Sequence, residues 1–278
     1  MCHVLEVSRS GYYRWRTRRP GRRADEDRNL VEKIQEIHAD HQRLYGYPRI
    51  TRELRETGWR CSRHRIARLM RKHGIRAKVK RKFRRYGSKA LLATYAPNRL
   101  ERQFDVSTPN RVWVTDLTYL WTREGALYLA AVLDLNSRLI VGWATAKQPT
   151  ARLALQALQR ALGKRRPENG LMIHSDRGSQ FASFEYQGYL QERGYVASMN
   201  QQGTCYDNAV MESFFHTLKM EHVYWESFRT REEASLSLFG YIELYYNSNR
   251  RHSYLGYKSP MEYEKAVVYP NEVSTLSG

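Results

Sequence analysis

Cysteine and long apolar stretches are what this sequence lacks most clearly. Its three cysteines among 278 residues, Cys2, Cys61 and Cys205, are odd in number and scattered, which argues against a disulfide framework. No run of about 18 apolar residues is available to span a bilayer. Residues 1–20 also lack the apolar segment of a signal peptide. We therefore expect a cytoplasmic protein.

Negative charge is also scarce. The chain has 28 Asp and Glu residues against 47 Lys and Arg residues, a formal net charge of +19. A positive field of this size favours a polyanionic partner, most often a nucleic acid. An anionic membrane surface is the other candidate, but no spanning apolar run accompanies the charge. A hydrophobic content of 41% is enough for a packed core, so the chain is not expected to be disordered.

The front of the chain is strongly basic and its pattern is helical. Residues 14–23 hold six arginines, and residues 71–85 hold nine Lys or Arg. A helix-turn-helix is predicted at residues 46–74. Its first helix is interrupted at Gly58, and Ser62 can cap a second helix that Gly74 ends.

This region carries the candidate DNA-contacting residues. Basic helical hairpins also occur as solvated surfaces, but the flanking charge favours contact with DNA. The candidates are Arg14 and Arg16 near the start of the chain and, in the hairpin, Arg63, Arg65, Arg68, Arg71 and Lys72. Residues 1–16 are typical of the second half of another helix-turn-helix, with Ser8 at the cap. We expect a basic helical region over residues 1–85 and a proline-containing linker over residues 86–109.

A zinc site is an alternative interpretation of part of this region. The spacing of His38, His41, Cys61 and His64 approximates that of zinc ligands. However, the two leading histidines would have to point together from the end of a helix, and Cys61 follows a tryptophan in an apparent turn. The pattern therefore favours an ordinary helical region without structural zinc.

The second half of the chain is predicted to be an α/β domain, residues 110–268. Three β-rich runs come first, at residues 111–121, 126–135 and 138–146, and a short Asn-Ser turn joins the last two. An amphipathic helix, a buried strand, a second helix and another strand follow. A three-stranded meander followed by alternating helix and strand is the order of a ribonuclease H-like sheet. A helical extension would complete the domain, and residues 269–278 would form a tail.

Three carboxylates fall where such a domain places functional residues. Asp116 lies in a run that is apolar on both faces, and a carboxylate in a central strand is costly unless it is paired or metal-bound. Asp176 ends a buried strand, and ligand sites in α/β sheets gather at the carboxyl ends of strands. Glu212 lies on the helix that follows the last predicted strand. Fifty-nine residues separate the two aspartates, and thirty-five separate the second aspartate from the glutamate.

The helix around Glu212 carries a narrow polar stripe. At about 100° per residue, Asn208, Glu212, His216 and Lys219 fall within a strip roughly 80° wide. A solvated helix face would account for such a strip on its own. Together with the two strand carboxylates, the strip predicts the wall of an active site. Lys219 would then be placed to contact a DNA phosphate.

Converging carboxylates suit hard divalent cations. An oxygen-lined site of this kind fits Mg²⁺ or Mn²⁺ better than zinc. Two such ions about 4 Å apart can activate a water or a sugar hydroxyl and stabilise the leaving oxygen of a phosphodiester. We therefore expect two ions, held by Asp116, Asp176 and Glu212.

Other polar residues nearby have plainer interpretations. Asp134 is predicted to belong to a hairpin turn, and Asp207 to the N-cap of the Glu212 helix. His174 shares a strand face with Asp176, but its position favours a buried structural histidine. His216 lies on the polar stripe and is a weaker candidate for contact with DNA or water.

Several segments together are familiar. TDLTYL, HSDRGSQF, CYDNAVMESFFHTLKME and YYNSNRRHSYLGYKSP resemble, in this order and spacing, the transposases of the IS-three family of bacterial insertion sequences. That family belongs to the DDE superfamily, together with retroviral integrases. YGYPRI and VSRSGYYRW are similar to its N-terminal parts, so the resemblance covers nearly the whole chain. It implies a catalytic triad of Asp116, Asp176 and Glu212, and Lys219 matches an extra basic position of the family.

The resemblance implies metal-dependent cleavage of insertion-sequence 3′ ends and their transfer into target DNA. Asp116 would bridge both ions, while Asp176 and Glu212 would each hold one. The partners would be the double-stranded terminal repeats, target DNA and further copies of the chain on the bacterial nucleoid. Because the family makes its transposase as a frameshift fusion, the partial helix-turn-helix at residues 1–16 fits a downstream-frame product that works with an upstream segment. The rival interpretations are a nuclease of the same fold and a non-catalytic DNA-binding regulator of transposition.

Overall fold

The computed structural model describes residues 6, 8–17, 22–78, 95–201 and 206–269 of the chain. Contacts within the chain divide it into two units, residues 1–78 and residues 79–278. The division falls before residue 85, where the sequence places the end of the basic region, and residues 79–94 lie outside the described residues. Of the helices that the structure describes, none is long and apolar enough to cross a bilayer.

The first unit is helical. Its helices are α1 (Arg9–Thr17), α2 (Arg22–Asp40), α3 (Tyr47–Glu56) and α4 (Arg63–Lys72). The predicted caps are confirmed: the Ser8 hydroxyl accepts from the Gly11 N–H at 3.0 Å, and the Ser62 hydroxyl accepts from the Arg65 N–H at 3.2 Å. The unit has an apolar core to which α2, α3 and α4 contribute, including Leu30, Ile34, Ile37, Ile50, Leu54, Ile66 and Leu69.

Glycine ends both helices of the predicted helix-turn-helix. Gly58 and Gly74 follow α3 and α4 with φ angles of 87° and 66°, in the left-handed region that residues with a Cβ rarely adopt. The chain can therefore turn sharply after each helix. Two short helices, α3 and α4, therefore lie within residues 46–74.

The second unit is built on a five-stranded mixed sheet. The strands are β1 (Val112–Thr122), β2 (Gly125–Asp134), β3 (Ile140–Ala146), β4 (Met172–Ser175) and β5 (Val196–Met199), and their order across the sheet is β3-β2-β1-β4-β5. The first three form the predicted antiparallel meander, while β4 and β5 run parallel to β1. The sheet is the ribonuclease H-like arrangement that the element order predicts.

Helices cover both faces of this sheet. On one face, α5 (Ala151–Arg165) and α6 (Phe184–Glu192) pack against residues such as Trp113 and Ile173. On the other, α7 (Ala209–Glu221) and α8 (Arg231–Phe239) pack against residues such as Val114 and Leu129. The alternation of side chains along β1 supplies both cores, which is why the strand is apolar on both sides.

A helical extension completes the unit. A π-helical segment (Gly240–Tyr246) continues α8, and α9 (Pro260–Val268) begins with a capping box at Ser259 and Glu262. Between them, the Asn247 side chain accepts from the Ile140 N–H at 2.9 Å and donates to the Ile140 carbonyl at 3.0 Å. The extension is thus hydrogen-bonded to the backbone at the start of β3.

The structure differs from the expected linker over residues 86–109. Within its described part, residues 95–109, Leu100 is buried, and Phe104 and Val106 pack against the same core as α7. The N–H groups of Arg99 and Leu100 also donate to the Ser198 hydroxyl at the end of β5. These residues pack against the sheet because their apolar side chains cover its core, a long-range contact that the loosened composition does not indicate.

Candidate active site

Two of the three predicted carboxylates lie at neighbouring positions on the sheet. The last pair in the parallel ladder between β1 and β4 joins Thr115 to Ser175. Asp116 is the next residue of β1 and Asp176 directly follows the end of β4, so continuation of this register would put their backbones about one strand spacing, roughly 5 Å, apart. Alternation along the strand puts Asp116 on the same face as Val114, the face that α7 covers.

Backbone amides hold both carboxylates. One oxygen of Asp116 accepts from the Leu117 N–H at 2.7 Å, and one oxygen of Asp176 accepts from the Gly178 N–H at 2.9 Å. A Cβ at Gly178 would lie only 2.9 Å from the same Asp176 oxygen, so glycine allows the turn to close on the carboxylate. Asp116 is also 7% exposed, which restricts its side chain further.

The third carboxylate, Glu212, is supplied by α7. The helix contacts β1 and buries Met211, Phe214, Phe215 and Leu218 in the core of that face. On its remaining surface Glu212 and Lys219 are partly buried, whereas His216 is exposed. Asn208, the first residue of the predicted polar stripe, is instead buried at the N-cap of the helix.

The donor chemistry of these residues fits a hard divalent cation. All three side chains offer carboxylate oxygens, and the two aspartates come from adjacent strands. Among the described residues, no group of three or more His, Cys, Asp or Glu side chains is drawn together closely enough to hold a metal ion. Asp116 thus lies in β1 and Asp176 directly after β4, two neighbouring central strands, and Glu212 comes from α7, the helix that packs against the same face of the sheet.

His174 is buried in β4, two residues before Asp176. With the Asn200 side-chain oxygen as acceptor at 2.7 Å, its Nε2 carries the proton, and its Nδ1 accepts from the Ser198 hydroxyl at 2.9 Å. Burial lowers the pKa of His174 because the charged ring would lose its hydration. The neutral imidazole therefore links β4 to β5, as the plainer interpretation predicts.

Asp134 has the turn role predicted for it. It is fully buried, and its carboxylate accepts from the N–H groups of Asn110, Asn136 and Ser137 and from the Trp113 indole. Burial raises the pKa of Asp134 against the opposing effect of these donors. This carboxylate organises the connection between β2 and β3.

The predicted N-cap of the Glu212 helix is wrong by one residue. Asp207 lies inside a short 3₁₀ turn (Tyr206–Asn208), and Asn208 occupies the N-cap position without a side-chain capping bond. The helix starts later because the 3₁₀ turn leads directly into it. Asp207 is instead buried near His174. Its negative charge raises the pKa of His174, but the burial of the ring lowers that pKa by more.

Lys219 lies beside the strand that carries Asp116. Its Nζ is 5.2 Å from the centroid of the Tyr119 ring, a cation–π contact. Seven residues of helix place Lys219 about 20° around the axis from Glu212 and roughly 10 Å along it. Its amino group is therefore near the candidate site, although too far along the helix to join the same ligand set.

The basic residues of the first unit do not form one free surface. Arg63, Arg71 and Lys72 are exposed on α4, and Arg14 and Arg16 are exposed on α1. Arg65 is largely buried and donates to Asp27 of α2 at 2.7 Å, whereas Arg68 is exposed like the others but donates to the same carboxylate at 2.8 Å. Burial opposes the ionisation of Asp27, but the bonds from the two arginines outweigh it and the net shift lowers its pKa.

Two residues of the zinc alternative, His41 and Cys61, make other contacts. The His41 ring stacks on Tyr45 with centroids 3.8 Å apart, and its Nε2 lies 3.1 Å from Glu53. His38 is buried, which lowers its pKa. The carbonyl of Cys61 accepts from the guanidinium of Arg55.

One group of residues near α7 is not predicted by the sequence reasoning. Arg250 of the extension makes a bidentate ion pair with Glu221, the last residue of α7, at 2.7 and 2.8 Å. Tyr241 donates to the same carboxylate at 3.1 Å, and Arg250 also bonds to His252 at 3.0 Å. The only signal in the sequence is the cluster of Tyr, Asn, Arg and His in the YYNSNRRHSYLGYKSP segment.

Comparison with known families and proteins follows this division of the chain. An integrase core domain family matches residues 106–205, a second integrase core domain family matches residues 212–268, and an HTH-like domain family matches residues 24–83. Transposase InsF for insertion sequence IS3A of Escherichia coli (strain K12) is 42% identical over 266 residues, covering 95% of this chain and 92% of the relative. The uncharacterized 31 kDa protein of insertion element IS600 from Shigella sonnei is 43% identical over 265 residues, covering 95% and 97%.

Among solved structures, similarity extends to retroviral proteins. The simian T-cell lymphotropic virus intasome in complex with a PP2A regulatory subunit is matched with a TM-score of 0.49 at 15% identity, over 83% of this chain and 74% of the other. The catalytic core domain of BIV integrase is matched with a TM-score of 0.39 at 20% identity, over 61% of this chain and 99% of the other.

Proposed function

The chain belongs to the IS-three family of insertion-sequence transposases, and we propose that it cuts the ends of its own element at a site formed by Asp116, Asp176 and Glu212. As a member of that family it is a DNA transposase, with an integrase core domain that cleaves and joins DNA. The finer assignment of catalytic residues, ions and partners is our proposal. The observation that carries it is the neighbouring placement of Asp116 and Asp176 beside the helix that bears Glu212.

We propose that the three carboxylates hold Mg²⁺ or Mn²⁺, two ions in each site. When bound, such ions supply activation of the attacking hydroxyl and stabilisation of the leaving oxygen at a phosphodiester. The N–H groups of Leu117 and Gly178 support this role, because each holds one oxygen of an aspartate in a set position. A carboxylate that is already oriented loses less conformational entropy when it binds a ligand.

The reaction has two displacements at phosphorus. Attack by water frees a 3′-hydroxyl at the element end, and that hydroxyl then attacks a phosphodiester of the target. We propose that Lys219 contacts a phosphate next to the reacting one in both displacements, because its amino group lies close to β1, the strand that carries Asp116. A lysine acts there as a point charge, which suits a phosphate whose position changes between the two displacements.

We propose that double-stranded DNA is the main partner and that the first unit binds it through the exposed cations of α1 and α4. Arg63, Arg71 and Lys72 support this assignment best, whereas Arg65 and Arg68 are engaged with Asp27. We further propose a homo-oligomer on DNA, a bacterial cytoplasmic location on the nucleoid, and an upstream-frame partner or fusion segment. These three rest on membership of the family.

The test is cleavage and strand transfer by the full chain on labelled element-end duplexes with Mg²⁺ or Mn²⁺. Asp116→Asn, Asp176→Asn and Glu212→Gln should each abolish both steps and leave DNA affinity nearly unchanged, because phosphate contacts come from other residues. The matched control is Glu192→Gln, which removes an exposed carboxylate from α6 and should keep wild-type rates.

Each alternative has its own outcome in this assay. Cleavage without strand transfer would indicate a nuclease of the same fold. DNA binding without either step, even with the upstream segment added, would indicate a regulator. Wild-type rates in any one triad variant would remove that residue from the site.

A further inference from the structure

Three aromatic side chains lie in a row on the β1–β2 hairpin, and two of them are exposed. Tyr119 and Tyr128 face each other across the ladder with ring centroids 6.1 Å apart, and Trp121 meets Tyr119 edge to face at 5.9 Å. Trp121 is 68% exposed and Tyr119 is 48% exposed. Their neighbours across the ladders are small, since Ala126 opposes Trp121 and Ala146 opposes Tyr128. The rings of Trp121 and Tyr119 therefore stand out from the surface, whereas Tyr128 is half-buried and packs against the core of that face. We call these three residues the aromatic row.

Hairpin stability accounts for only part of the aromatic row. A cross-strand aromatic pair stabilises a hairpin by up to about 1 kcal/mol, and Tyr119 with Tyr128 is such a pair. Trp121 opposes an alanine, so its indole gains little from the partner strand. A tryptophan that keeps two-thirds of its surface in water forgoes most of the free energy that burial would provide. Such a side chain is typical of a binding surface.

The charges around the aromatic row are mainly positive. The amino group of Lys219 lies over the Tyr119 ring, and both Arg123 in the hairpin turn and Lys147 at the end of β3 are exposed. The acidic residue of the turn, Glu124, accepts from the first N–H group of α8 at 3.0 Å. A row of ring faces bordered by cations is complementary to a ligand with flat rings and phosphates.

The aromatic row lies beside the candidate active site. Tyr119 is three residues beyond Asp116 on β1, about 10 Å along the strand. β4 pairs with Val112–Thr115 only, so it does not cover the edge of β1 from Asp116 onward. Lys219 of α7 reaches the Tyr119 ring around this edge. The aromatic row and Asp116 therefore lie on opposite faces of one segment of β1, and Lys219 reaches the aromatic row past the edge of β1 that β4 leaves unpaired.

We propose that the aromatic row binds an unpaired nucleobase of the DNA strand beside the cleaved phosphodiester, with Lys219 against the neighbouring phosphate. Bases in a duplex are stacked on each other and paired, so their ring faces are unavailable to an indole, whereas an unpaired base stacks readily on an aromatic side chain. The proposal rests on the transposase activity, which would leave unpaired nucleotides near the site. It assigns these side chains a ligand that the triad does not contact.

The test compares two DNA probes with the full chain in the absence of divalent cations. One probe is a labelled blunt duplex of arbitrary sequence, and the other is the same duplex with a single-stranded tail of about five nucleotides. Fluorescence anisotropy should show that the tail tightens binding, and Trp121→Ala should lose about tenfold in affinity for the tailed probe, the effect of one base stack. Its affinity for the blunt duplex should stay the same, and Trp121→Phe should keep most of the preference for the tail.

The control variant is Phe184→Ala, which removes a ring that is 93% exposed but lies outside the aromatic row. It should bind both probes as the wild type does. A tail carrying 5-iododeoxyuridine should crosslink to residues 119–128, because the photoreaction favours stacked aromatic rings.

Three results would overturn the proposal. The first is an equal preference for the tail in the wild type and in Trp121→Ala. The second is an equal loss in Phe184→Ala. The third is a changed sedimentation or melting temperature in Trp121→Ala with the tail preference intact, which would make the aromatic row a protein interface or a hairpin support. Because binding is measured without metal and can be repeated in Asp116→Asn, a failure here is separable from a failure of the proposed cleavage activity.

Discussion

Removing Arg250 should loosen the helix that carries Glu212. The guanidinium is 6% exposed as a side chain and the Glu221 carboxylate 13%, so both charges lie largely outside water. Burial alone would lower the pKa of Arg250, but the hydrogen bonds and charge of Glu221 outweigh it, and the net shift is upward. The pair therefore stays ionised, and each partner compensates the desolvation of the other.

The magnitude follows from what Arg250→Ala leaves behind. Glu221 would keep the hydrogen bond from Tyr241 but lose both bonds to the guanidinium, and breaking a buried pair in this way costs about 3–5 kcal/mol. Replacing both partners, as Glu221→Gln with Arg250→Met, removes both charges and should cost far less. Compared with the double variant, the single variant Arg250→Met differs only at position 221, so this pair measures the penalty of the unpaired carboxylate.

Hydrogen exchange measured by mass spectrometry can detect the destabilisation of α7 peptide by peptide. Since each 1.4 kcal/mol changes an equilibrium about tenfold, amides of α7 should exchange at least about 100-fold faster in Arg250→Ala. Peptides from α2, in the other unit, serve as the internal control and should be unchanged. Glu221 lies nine residues from Glu212, about 180° around the helix, so the ion pair holds α7 from the side opposite the candidate ligand.

The same variants test whether the Arg250–Glu221 ion pair is needed for DNA cleavage. Cleavage should fall in Arg250→Ala and recover in the double variant, because α7 is again held without an unpaired charge. Exchange of α7 at the wild-type rate in Arg250→Ala, or exchange in the double variant as fast as in the single one, would refute this role of the ion pair.

Three further predictions test other parts of the molecule. Lys219→Ala should slow strand transfer and reduce the salt dependence of DNA binding by about one counterion, while Lys219→Arg keeps most activity; an unchanged slope would leave it a surface lysine. Neutralising Arg63, Arg71 and Lys72 together should reduce that slope by about three, whereas Arg65→Gln should change it little, and the opposite ranking would move the DNA surface to the other side of α4. Gly142→Ala should destabilise the sheet by about 1–3 kcal/mol, measured as faster exchange in α5, because the new Cβ would lie 2.5 Å from a carbonyl of that helix; wild-type exchange would show that the helix can shift freely.

Much of the first unit could be predicted because its signals are local. A hydroxyl three residues before the N–H it caps, as with Ser62 and Arg65, needs no distant contact. The left-handed glycines that end α3 and α4 are equally local. The same sequence could not reveal that Arg65 and Arg68 bond to Asp27, because that ion pair joins helices about forty residues apart.

In the second unit, the sequence by itself determined the strands, the helices and the polar stripe of α7, since alternation and helical periodicity are properties of neighbouring residues. Which carboxylates lie on neighbouring strands was decided only by the tertiary structure. The register of β1 against β4 brings Asp116 and Asp176 to adjacent positions across fifty-nine intervening residues, and the fold buries His174 against β5. The pairing of Glu221 with Arg250 was decided in the same way, because a buried charge finds its partner through the packing of whole elements and leaves no periodic mark along the chain.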